Sequence, residues 1–121
     1  MANPSFSRNV QPLFNQYCLD SSCHVELPGA GMLNLEEGQS YNQLVNVLAI
    51  TPVTCISGTV TVVASMRANK TLADPYRSVL IHRLEATCAP LQQMPSNGPP
   101  FLEKGQVDII RNWILNGAPN N

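Results

Sequence analysis

The sequence of 121 residues is poor in two things that most small domains use freely. Charged residues make up 12%, about half the usual share, and aromatic residues only 6%. With a formal net charge of −1 and no basic run or stripe, the chain offers no footing for a nucleic-acid partner. With so few rings, a single compact core has little bulk to fill it, a deficit that a large apolar cofactor would correct. No window has the apolar length of a membrane span, and the opening MANPSFSRN has neither the basic region nor the apolar core of a secretory leader. The expectation is therefore one domain over residues 1–121, with its leader removed or excised from a longer chain behind an added Met1. Internal repeats, a nucleophile with a plausible base, a carboxylate pair at catalytic spacing and a Gly-rich phosphate loop are all missing too. Enzyme activity is not expected on these grounds.

What is present is mostly helical periodicity. In SFSRNVQPLFNQY, residues 5–17, the side chains Phe6, Val10, Leu13, Phe14 and Tyr17 fall at helical spacing. Ser5 or Ser7 caps the start, and Pro12 must lie early in the helix or bend it. After the Gly-rich turn PGAGM, a second helix is expected over 40–49, capped by Ser40 and burying Leu44, Val45 and Leu48. GTVTVVAS, residues 58–65, is β-branched and alternating, and reads as a short strand or extended arm. Asp74 followed by Pro75 opens a third helix through YRSVLIHRLE, with Val79, Leu80 and Leu84 buried. The segment CAPLQQMPSNGPPF, carrying Pro90, Pro95, Pro99 and Pro100, cannot be regular helix or central strand. A final helix buries Val107, Ile110, Trp113 and Ile114 and stops at Gly117. The fold class expected is all-α with one minor extended arm.

The chemistry is concentrated in YCLDSSCHVE, residues 17–26, where Cys18, Cys23 and His24 stand together. Covalent c-type haem attachment needs two thiols to add across the porphyrin vinyl groups and an imidazole close behind to reach iron. A histidine directly after the second cysteine meets that demand. The usual spacing places two residues between the cysteines; here LDSS supplies four, small and polar enough to bulge outward. Two other readings use the same letters. Cys18 and Cys23 could form a local disulfide with His24 incidental. Alternatively zinc could take Cys18, Cys23, His24 and one of Cys55, His82 or Cys88, although structural zinc sites bring two short pairs and this chain has one.

If the cluster holds haem, the sixth position of iron needs an account. Met94 lies in the proline-rich loop just before the last amphipathic helix, where a thioether can be held rigidly, and His/Met ligation favours electron transfer. Met66 and Met32 are the alternative thioethers, and His82 would give a bis-histidine site. An open sixth position would instead point to gas binding or catalysis. Against Met94 stands the ordinary use of methionine as a core gap-filler.

The segments FSRNVQPLFNQYC, GMLNLEEGQSYNQLV, SVLIHRLEATCAPLQQMP and NWILNGAP together resemble a small bacterial monohaem cytochrome c domain, nearly end to end. The resemblance implies a helical domain around one covalent haem c, with Cys18 and Cys23 as attachment points. It implies His24 and Met94 as iron ligands, crossing first and last helices, and Trp113 packed near the haem. The chain departs from that pattern in its four-residue gap and in the additional pair Cys55 and Cys88. Since haem would consume the other two cysteines, the simplest use of this pair is a disulfide. It closes a loop of about thirty-three residues, worth about 4 kcal/mol by the chain-entropy argument; two buried thiols are the other possibility. Four cysteines in so short a chain favour an oxidising compartment, and the resemblance makes that a bacterial periplasm or another extracytoplasmic space. The function expected is one-electron transfer between redox partner proteins by a monomer, free-standing or as a module of a larger redox enzyme. Its docking should be weakly salt-sensitive because charge is scarce.

Overall fold

The computed structural model describes residues 3–18, 34–45, 47, 62–63, 78–87, 93–95 and 99–121. Helix accounts for 54% of the described residues and bridges for 4%, which makes the fold all-α with one small extended contact. Four α-helices are present among them: α1 over Gln11–Tyr17, α2 over Ser40–Leu44, α3 over Val79–Glu85 and α4 over Lys104–Leu115.

The first helical segment opens with a π-helical turn, Phe6–Val10, before passing into α1. Pro12 explains the change of pitch. In an uninterrupted α-helix it would leave the Arg8 carbonyl without a donor and press its ring against that carbonyl. The chain instead shifts to the wider register: Ser5 O accepts from both Asn9 N at 2.9 Å and Val10 N at 3.3 Å, and Gln11 N donates to Phe6 O. Ser5 is the cap, its hydroxyl accepting from Arg8 N. The remaining amides at this end are met by Asn121, whose side chain accepts from Phe6 N at 2.9 Å and whose backbone oxygen accepts from Ser7 N at 3.3 Å as well as from the hydroxyls of Ser5 and Ser7.

The second helix is shorter than the periodicity suggested. Val45 leaves helical geometry at ψ 118° and forms a parallel bridge with Val63. Val62 N donates to Val47 O at 2.8 Å and Val63 N to Leu44 O at 3.1 Å. The pairing of β-branched residues from distant parts of the chain overrides local helix propensity here. Leu44 is buried as expected, and Leu48 lies outside the described residues. Gln39, not Ser40, occupies the cap position; Ser40 sits in the first turn and donates its hydroxyl to Gln11 Oε1 at 2.5 Å. Of the expected arm over 58–65, only Val62 and Val63 are described, and both are in this contact.

Within the described residues α3 begins at Val79, after an extended Ser78 at ψ 116°. Its first-turn amide at Leu80 donates across to Val62 O at 3.0 Å, so the arm takes up a donor that a longer helix would have used. The Asp74–Pro75 start lies outside the described residues. Val79, Leu80 and Leu84 are buried, with Ile81 and His82 as well. The last helix buries Val107, Ile110, Trp113 and Ile114. Glu103 and Gln106 form a capping box at its start, and Gly117 follows it at φ 97°, a left-handed position that suits glycine.

The π turn packs on α4, and α3 packs on α4 as well. At the first contact Phe6 lies 5.1 Å from Trp113 and 5.3 Å from Tyr41, ring centre to ring centre. Phe6, Phe14, Tyr41 and Trp113 are thus gathered in one place, where edge and tilted contacts add to burial. Trp113 is fully buried, and its indole N–H donates to Pro119 O at 2.9 Å. A second support is polar: Gln11, 2% exposed, donates to Leu35 O and Asn15 Oδ1 and accepts from Ser40. Every polar atom of its amide oxygen and nitrogen therefore has a use, which is what makes its burial tolerable.

Candidate functional site

Cys18 is the first of the candidate haem-attachment residues and the one of that cluster among the described residues. It caps α1 at its C-terminal end, its N–H donating to Phe14 O at 2.8 Å, and is 8% exposed within the main apolar cluster. The residue before it fixes the end of the helix in space. Tyr17 OH donates to Gln106 Oε1 at 3.0 Å, and the same oxygen accepts from Glu103 N at 2.9 Å. The end of α1 is thereby pinned to the start of α4. Cys23 and His24 lie outside the described residues, as do Met32, Met66, Cys55 and Cys88.

Met94 is held by a different element. Its backbone N–H donates to Arg83 O at 2.8 Å, and the neighbouring Gln93 Nε2 donates to Leu84 O at 3.2 Å. These carbonyls belong to the last turn of α3, which ends with Ala86 in the left-handed conformation at φ 57°. A helix leaves its final carbonyls without internal donors; here the loop carrying Met94 supplies two. Met94 is half-buried and Pro95 is buried. The end of α3 is in turn tied to the middle of α4 by the ion pair of Glu85 with Arg111, which also reaches Asp108. Burial lowers the Arg83 guanidinium from its ordinary pKa, although arginine stays charged throughout the working range.

His82, the competing nitrogen ligand, is 5% exposed on α3, and its Nδ1 lies 2.6 Å from Thr87 Oγ1. That contact suits a core histidine satisfied by a local hydroxyl. Trp113 shares the apolar cluster with Cys18. Among the described residues no three His, Cys, Asp or Glu side chains converge as a metal site would need, and no helix is long and apolar enough to cross a membrane.

Gln93 and Gln106 carry no signal in the sequence that would single them out, and Tyr17 is marked there only as part of an apolar helical face. Each acts through a partner fixed by tertiary packing; Tyr17 sits beside a candidate attachment residue and Gln93 beside a candidate ligand. The apolar setting around Cys18 suits an uncharged thioether better than a charged thiolate. No known protein family, curated protein or solved structure matches the chain.

Proposed function

We propose that this chain is a monohaem c-type cytochrome domain that transfers one electron at a time in an extracytoplasmic, periplasm-like compartment. The observation that carries the reading is the YCLDSSCH stretch, two thiols and an imidazole within seven positions, opening at a cysteine that caps a helix inside an apolar cluster. Cys18 and Cys23 would hold the haem covalently, His24 would bind iron, and Met94 would be the second axial ligand. A bound haem supplies the one-electron iron couple.

The side chains have three duties in this reading. The apolar cluster of α1, α3 and α4 excludes water, Trp113 stiffens the contact between the first and last helical segments, and the α3 carbonyls hold the Met94 loop. No side chain transfers a proton or a group, so the domain is a carrier rather than an enzyme. Partners are other redox proteins, docked by shape and apolar contact because the chain has few charges for long-range steering. Association rates that fell steeply with added salt would contradict that mode of docking.

The test is a reduced-minus-oxidised visible spectrum of protein made in a cell competent for cytochrome maturation. A haem signature that survives denaturing extraction is the expected result. Zinc without colour would establish the metal alternative, and colour lost on denaturation would refute covalent attachment.

A further inference from the structure

We infer that Gln93 is a positioning residue for Met94, acting as a side-chain clamp that holds the loop on the end of α3. This rests on the haem reading above, in which Met94 is an iron ligand. Two donors from adjacent residues meet two adjacent carbonyls: Met94 N to Arg83 O at 2.8 Å and Gln93 Nε2 to Leu84 O at 3.2 Å. The pairing fixes both the position of the Met94 backbone and its rotation about the helix end, because one hydrogen bond alone would leave the loop free to swing about it.

The receiving surface is itself rigid. Leu80, Ile81 and Leu84 bury α3 in the core, and Glu85 is tied to Arg111 of α4. Thr87 N donates to His82 O at 3.2 Å, closing the last turn from the other direction. The clamp is therefore the yielding part. A ligand held this way leaves iron more often when the side-chain donor is lost, even though the fold stays intact.

A glutamate in place of Gln93 keeps the shape and removes the donor. In holoprotein carrying Gln93→Glu or Gln93→Ala, carbon monoxide should associate with the reduced form about fivefold faster, the factor expected for one ordinary hydrogen bond. Amide hydrogen exchange at Met94 should speed up alongside it, a readout that does not depend on iron. Ser7→Ala, which removes a side-chain hydrogen bond to Asn121 O on a different element, should leave both rates at their parent values. Parent-like rates in both Gln93 variants would overturn the clamp, as would an equal acceleration in Ser7→Ala. Met94→Ala separates this from the underlying reading: if it fails to admit carbon monoxide, Met94 is not the ligand and the clamp falls with that assignment, while covalent haem attachment stands or falls on the spectrum of the denatured protein. If it opens the site while the Gln93 variants do not, the clamp alone is wrong.

Discussion

The two regions that carry the candidate ligands are held by different forces. Around Cys18 the support is apolar: the residue sits in the main cluster, which also holds Phe6 and Trp113, and there Phe6, Tyr41 and Trp113 meet edge-on or tilted with ring centres 5.1–6.2 Å apart. Around Met94 the support is two hydrogen bonds to the end of one helix, and the side chain is half-buried. Apolar burial is strong and non-directional, whereas a pair of hydrogen bonds is weak in net energy but sets geometry. The difference teaches that attachment and ligation can be altered separately. Changes on the first side should cost fold stability, and changes on the second should alter access to iron at little cost to the fold.

The largest expected effect is on the apolar side. Trp113→Ala removes a fully buried ring and its hydrogen bond to Pro119, and should cost about 3–5 kcal/mol in denaturant unfolding. A loss below about 1 kcal/mol would erase the contrast between the regions. Next comes Gln11→Ala, which leaves Leu35 O and the Ser40 hydroxyl without their buried partner and should cost about 2 kcal/mol by the same measurement.

Met94→Ala should lower stability by only about 1 kcal/mol, since the side chain is half-buried, yet should give ready carbon monoxide binding in reduced protein that otherwise resists it. An unchanged spectrum would move the sixth ligand to Met66 or His82. Smallest of all is a surface effect at α4. The hydrogen bond from Lys104, followed by that from Arg111, holds the Asp108 carboxyl below its ordinary pKa. A lowered folded-state pKa means the stabilisation is present above the unfolded carboxylate value and is lost as pH falls through the lower one. Asp108→Asn should therefore lower stability slightly at neutral pH, leave it unchanged at pH below the folded carboxyl value and so flatten the acid side of the profile, as measured by urea midpoints across pH.

Much of the helical frame was legible because it is written locally. Val107, Ile110, Trp113 and Ile114 recur at helical spacing and all face the core, and Val79, Leu80 and Leu84 do the same on α3. The early end of α2 was not legible, because it depends on Val63 arriving from elsewhere to pair with Val45. Nor was the π turn fully foreseen: Pro12 announces a bend, but its form depends on where the displaced carbonyls find donors. At the candidate site, residue type and spacing pointed to Cys18 and Met94. Gln93 escaped notice because its partner is a backbone carbonyl nine residues earlier, and one glutamine looks like another until the chain is folded.

The most direct test of covalent haem attachment is the intact mass of the purified, denatured chain after expression alongside a cytochrome maturation system. The account predicts the polypeptide mass plus one haem, and loss of that increment when Cys18 and Cys23 are both replaced by Ala. A colourless product with the bare polypeptide mass would contradict it.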